Sequence, residues 1–269
     1  MNQKPIGIFD SGIGGLTVAR AISQQMPGES ILYFGDTRHL PYGDKSPAAI
    51  TEYARNITRF LVDSGCKIII SACNSASSVA YDSLVQEFGS RVPIVNVIDP
   101  IVKEVVRESV NRTIGVIGTK ATIRANEYEK RILTLDNTRN VVSVPTPLLA
   151  PMIEEGFYNN TLSEAILQAY LNFPDFKQID ALILACTHYP LLRPQIERFF
   201  NGKVRIYDST GIIAREVELI LEKNSLLNHN GKTHHRFYVS DYTESFEKTT
   251  QIFYGNKIHL EQIDIHKGE

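Results

Sequence analysis

KIIISACNSAS (residues 67–77) is an apolar run that gives way, within one residue, to a cysteine and a string of small polar residues. Its consecutive isoleucines are β-branched and show no polar alternation, as a strand buried on both faces requires. Asn74, Ser75 and Ser77 are of the types that open helices. The stretch ALILACTHYPLL (181–192) repeats the plan: an apolar strand, Cys186, then Thr187 and His188 at the start of a further helical segment.

Outward from these two stretches the same alternation continues. IGIFD (6–10), ILYFGD (31–36), IVNVID (94–99), TIGVIG (113–118), VVSVP (141–145) and VRIYD (204–208) read as further strands. Between them lie amphipathic helical patterns such as LTVARAISQQM (16–26), SSVAYDSLVQEF (77–88), TIRANEYEKRIL (122–133) and IIAREVELILEKN (212–224). Strands alternating with helices predict an α/β fold with mainly parallel sheets. The plan is also internally repeated. IGIFD leads into the turn SGIGG and, later, KIIISA ends at Cys73; TIGVIG leads into TKAT and, later, ALILA ends at Cys186. Two similar, pseudo-symmetric domains are therefore expected, with the site in the cleft between them. Residues 1–97 plus 208–269 are assigned to a discontinuous first domain, and 98–207 to a second. The segment after VRIYD has no counterpart and is expected to pack back on the first domain.

Composition narrows the function. A chain of 269 residues accommodates one to two domains at ~150 residues each. Apolar residues make up 43% and charged residues 22%, which excludes a disordered chain. Lys and Arg number 28 against 30 Asp and Glu, so no basic excess exists to neutralise phosphates, and nucleic acid is not an expected partner. No apolar run approaches the ~20 residues that span a bilayer, and no signal-peptide pattern opens the chain. The three cysteines, Cys66, Cys73 and Cys186, are odd in number and form no CxxC pair. They read as free thiols of a cytoplasmic protein rather than disulfides, a redox pair or a zinc site.

Ligands of parallel α/β sheets bind beyond the carboxyl ends of the strands, where Cys73 and Cys186 stand. A helix start there would lower a thiol pKa below its free value of ~8.5. Its N–H groups, at Asn74, Ser75, Thr187 and His188, would hold a carboxylate. Cys66, in SGCKIII at the amino end of a strand, reads as a buried structural thiol. SGIGG permits a tight turn, but it is neither GxGxxG nor followed by GKS or GKT, so no nucleotide loop is indicated. Asp10 and Asp36 each close a strand and fit either a cap or a site carboxylate; His188 fits either a structural or a site histidine.

GIFDSGIGGLTV (7–18), YFGDTRHLPYG (33–43), ACNSAS (72–77) and ACTHYPLL (185–192), in this order and spacing, together resemble the glutamate racemase family. Two small departures are visible: Asn74-Ser75-Ala76 where Asn-Thr-Ala is commoner, and Ala185 where Gly is frequent. The resemblance implies racemisation of L- and D-glutamate without a cofactor or metal, supplying D-glutamate for peptidoglycan, and hence for cell-wall biogenesis and cell shape. It implies Cys73 and Cys186 as the proton-transfer pair, Cys73 acting on D-glutamate and Cys186 on L-glutamate. Asp10 and His188 are implied as their polar partners, with Asp36 and Glu154 as further acidic residues of the site. Asp10, Ser11, Tyr42, Gly43, Asn74, Ser75, Thr119, Thr122, Thr187 and His188 are implied as substrate-binding. A homodimer is expected, with neither nucleic acid nor membrane as partner.

The chemistry is consistent with that implication. Moving a proton between the faces of one carbon needs a base on one side and an acid on the other, and two residues of one type suit mirror-image reactants. Without a cofactor to take up the carbanion charge, hydrogen bonds and exclusion of water must do so. A racemase for another acidic amino acid such as aspartate, or a non-catalytic dicarboxylate-binding protein, remain the alternatives. A single-thiol enzyme built on Cys186 and His188 is a third.

Overall fold

All five residues of β1 (Ile6–Asp10) are buried, and the strand lies inside its sheet between two parallel neighbours, β2 (Ile31–Gly35) and β3 (Ile68–Ser71). The computed structural model describes residues 2–108, 112–228 and 233–265. Within them β4 (Ile94–Asn96) completes a run of four strands, followed in sequence by β5 (Thr113–Gly118), β6 (Asn140–Pro145), β7 (Ala181–Ala185) and β8 (Arg205–Tyr207). Two more strands, β9 (Arg236–Val239) and β10 (Glu261–Gln262), lie near the carboxyl end. They form a six-stranded sheet, β10-β9-β2-β1-β3-β4, and a four-stranded sheet, β6-β5-β7-β8, every pairing parallel.

The repeat read from the sequence is visible in this topology. The order β2-β1-β3-β4 of the first sheet matches β6-β5-β7-β8 of the second, element for element. In both, the order reverses between the first and third strands of the unit, the place where parallel α/β sheets open a crevice for ligands. Asp10 and Cys73 flank that point in one sheet, Thr119 and Cys186 in the other. Side chains alternate as strands demand. Ile6 and Ile8 join a cluster with Leu16, Val18 and Ile22 of the helix Leu16–Gln25, whereas Phe9 joins Ile50, Ala54 and Ile57 of the helix Pro47–Asp63. The first of these clusters also holds Ile117, Leu182 and Leu184, so one apolar core runs from sheet to sheet.

Four local expectations are corrected. The strand expected over 94–99 stops at Asn96, whose Oδ1 accepts the N–H groups of Ile98 and Asp99 at 2.8 Å and starts the helix Ile98–Arg107. The single helix expected over 122–133 is two, Lys120–Ala125 and Glu127–Leu135, because Asn126 is left-handed with φ 59°. The helix expected over 77–88 breaks at Ala80 into Asn74–Val79 and Tyr81–Phe88. Cys186 opens no α-helix directly: a 3-10 turn, Tyr189–Leu192, precedes the helix Arg193–Phe199.

Beyond β8, Asp208 caps the helix Ser209–Lys223 by accepting the N–H of Thr210. This helix packs on Leu16–Gln25 and on Ile98–Arg107, touching elements of both sheets. β9 then pairs with β2, so the chain leaves the first sheet after β4 at Asn96 and returns to it only at Arg236, which pairs with Leu32. Of the expected spans, positions 1, 109–111, 229–232 and 266–269 lie outside the described residues.

Candidate active site

The turn after β1 is built around a carboxylate. Asp10, wholly buried, accepts the N–H of Gly15 at 2.9 Å and of Gly12 at 3.3 Å through Oδ2, while Oδ1 has no partner. Burial raises its pKa, against the opposing pull of His188 and the backbone N–H groups. Two glycines here are steric necessities. A Cβ on Gly35 would stand 2.2 Å from the Gly12 carbonyl, and one on Gly14 would stand 2.4 Å from His188 Cε1 and 2.5 Å from Thr187 Oγ1. SGIGG thus presses the first sheet's turn against the residues that follow Cys186.

Cys73 caps the helix Asn74–Val79, with its Sγ 3.6 Å from Ser11 Oγ. The sequence led us to expect a thiol lowered by the helix start. Instead, burial and the Asp10 carboxylate push Cys73 up to about 12, overriding the N–H of Ala76 and the Ser11 hydroxyl. Cys186 has a different neighbour. Its Sγ lies 3.6 Å from His188 Nδ1, and His188 Nε2 lies 2.9 Å from Glu154 Oε1. Burial pulls the imidazole pKa down, but Cys186 and Glu154 outweigh it and hold His188 well above its usual range. Phe253, from the helix Glu244–Tyr254, meets the His188 ring edge to face at 5.1 Å.

Both sulfurs line one small cavity of about 40 Å³, which has room for a few waters. Ser11, Tyr42, Gly43, Asn74, Ser75 and Thr119 line it as well, and so do Glu154, Thr187 and His188. Asp10, Asp36 and Thr122 stand behind these. Asp36 accepts the Tyr42 hydroxyl at 2.6 Å and the Ser240 hydroxyl at 2.8 Å, and pairs with His39 Nδ1 at 2.9 Å. It therefore acts as a post that holds Tyr42. Thr122 belongs to a hydroxyl cluster: Ser75 Oγ lies 2.8 Å from Thr119 Oγ1 and 3.3 Å from Thr122 Oγ1. That cluster joins a residue after β3 to residues after β5. Leu40, Pro41, Ala150 and Pro151 also line the cavity, and only their nearness in sequence to Tyr42 and Glu154 could have indicated them. Cys66 is elsewhere, packed against Gly7, its thiol pushed up to about 12 by burial.

A cavity with two free thiols, an unpartnered amide donor at Asn74 Nδ2 and a histidine–carboxylate pair can exchange protons with a bound anion. Among the described residues, no group of three His, Cys, Asp or Glu side chains is placed to hold a metal ion.

Known proteins resemble this chain over nearly its whole length. The model of the Asp/Glu/Hydantoin racemase family matches residues 9–217. A glutamate racemase of Chlorobium phaeobacteroides is 42% identical over 254 residues, covering 93% of this chain and 92% of its own. The crystal structure of glutamate racemase from Francisella tularensis in complex with D-glutamate is similar with a TM-score of 0.93 at 37% identity, over 99% of each chain. That of a Bacillus anthracis glutamate racemase gives 0.93 at 33% identity over 98% of each. On this likeness in sequence and in fold, the chain belongs to the Asp/Glu/Hydantoin racemase family, among its glutamate racemases.

Proposed function

We propose that the chain interconverts L- and D-glutamate by a two-thiol acid/base reaction without a cofactor, and so supplies D-glutamate to bacterial cell-wall synthesis in the cytoplasm. The observation that carries this reading is the pair of buried free thiols, one after the third strand of each repeat, lining a single cavity. For L-glutamate, Cys186 takes the α-proton with His188 beside it, and Cys73 delivers a proton to the opposite face; for D-glutamate the roles exchange. The high pKa of Cys73 suits a thiol that waits as the acid. Ser75 and Thr187 offer donors that stabilise the charge that builds up as the α-carbon loses its proton, and Asn74 offers one that holds a substrate carboxylate throughout. The two halves, taken as 1–97 plus 208–269 and 98–207, close over the substrate to exclude water. We take the working form to be a homodimer. No helix among the described residues is long and apolar enough to cross a membrane.

The test is proton bookkeeping. Starting from protiated L-glutamate in D2O, the early D-glutamate is expected to carry deuterium at Cα while the remaining L-glutamate stays largely protiated. Mass analysis of both enantiomers at low conversion reads this. Deuterium in both pools alike, or in neither, contradicts two one-sided thiols.

A further inference from the structure

Asn74 lines the cavity next to Cys73, is 2% exposed, and leaves Nδ2 without a hydrogen-bond partner. Its Oδ1 is engaged: the Tyr128 hydroxyl donates to it at 2.7 Å. Tyr128 does not line the cavity and belongs to the other half of the repeat, in the helix Glu127–Leu135. The left-handed Asn126 ends the preceding helix and starts this one, and Tyr128 follows two residues later. Tyr128 is itself 2% exposed, among Ile98, Ile101 and Ile132.

We propose that Tyr128 is a positioning residue for the racemase reaction: its hydroxyl engages the Asn74 amide oxygen and so reserves Nδ2, the donor end, for the substrate. A carboxamide can present either end to an anion, and the wrong end repels it. Here the phenol donates to Oδ1, and the end left without a partner is the donor, Nδ2. Burial, followed by the charge of Cys186, pushes the Tyr128 phenol far above its ordinary value, so it remains a donor across the working pH range. Tyr128 and Asn74 come from different halves, so the bond spans the cleft.

The inference rests on the racemase reading, and the experiment separates the two: a wild-type protein that does not racemise glutamate sinks that reading, whereas the comparison below concerns Tyr128 alone. Tyr128→Phe keeps the ring and removes the hydroxyl. Since the Asn74 contact serves substrate and transition state alike, we expect KM for glutamate to rise about tenfold with kcat within about threefold. The double variant Tyr128→Phe/Asn74→Ala is expected to be no worse in kcat/KM than Asn74→Ala alone, the signature of a residue that acts through another. A melting temperature within a few degrees of the parent belongs to the expected result. An unchanged KM in Tyr128→Phe, losses that multiply in the double variant, or a Tyr128→Phe protein that does not fold each overturns the proposal.

Discussion

The two halves of the repeat present the same element, a thiol after a third strand, in opposite electrical settings. Cys73 sits over a buried carboxylate, Asp10, that resists a second negative charge beside it. Cys186 sits beside an imidazole whose pKa Cys186 and Glu154 raise well above its ordinary value. Duplicated topology has therefore been filled with non-duplicated chemistry. L- and D-glutamate have equal free energy, so kcat/KM must be equal in the two directions for any variant. The asymmetry of the thiols can appear only in kcat and KM taken separately, and in proton exchange.

The largest expected effect breaks the comparison outright. Cys73→Ala and Cys186→Ala should each abolish racemisation, whereas Cys66→Ala keeps most of it, its thiol lying outside the cavity. Each inactive variant retains one base and is expected to wash the α-hydrogen of one enantiomer into D2O: L-glutamate with Cys186 left, D-glutamate with Cys73 left. NMR of the two enantiomers after long incubation reads this, and washout of both by one variant would show the thiols to be interchangeable. A smaller effect tests where the halves meet. Gly14→Ala drives a methyl into the His188 ring and the Thr187 hydroxyl, and is expected to lower kcat by about 10²-fold. Gly12→Ala, whose Cβ would meet only Leu40 at 3.7 Å, should lose little. Equal losses would show that turn flexibility, not the His188 contact, is what matters.

The smallest effect is on stability, and its sign differs between the halves. His188 is raised in the folded protein, so its contribution is full below its unfolded value of ~6.5 and is lost as pH rises through the higher folded value. Asp10 is raised as well, but it is an acid: above its ordinary value of 3.8 the folded state carries a penalty that grows until pH passes the raised value. In urea melts, His188→Asn is expected to lower the midpoint more at pH 6 than at pH 9. Asp10→Asn should leave the midpoint unchanged or higher at neutral pH while activity falls. A destabilised Asp10→Asn protein would mean that the Gly12 and Gly15 hydrogen bonds outweigh burial.

The strands that carry the thiols were legible because burial on both faces leaves a plain mark, IIIS and ALILA, and because the polar residues follow at once. Local hydrogen bonding hid the rest. Asn96 ends its strand by accepting the N–H groups of Ile98 and Asp99, and Asn126 breaks a helical pattern whose apolar spacing is otherwise continuous. β10 is two exposed residues, Glu261 and Gln262, with no apolar signature at all. Among site residues, Asp10 and Asp36 could be placed at strand ends but not oriented. Only the structure shows that both carboxylates stand behind the cavity wall and that Asp36 is spent on Tyr42, His39 and Ser240. Tyr128 carried no signal, since its partner lies 54 positions away across the cleft.

The return of the chain to its first sheet bears on how the protein is made. β2, with the apolar sequence ILYFG, has one open edge until β9 pairs with it, and the hydroxyl of Ser240 that meets Asp36 comes from 204 positions downstream. At a synthesis rate of roughly 5–20 residues per second, that edge waits about 10–40 s on the ribosome for its partner. An unpaired apolar strand edge is a template for other chains. The nascent protein is therefore most exposed to aggregation while its second sheet is being synthesised, and chaperone demand should peak in that interval.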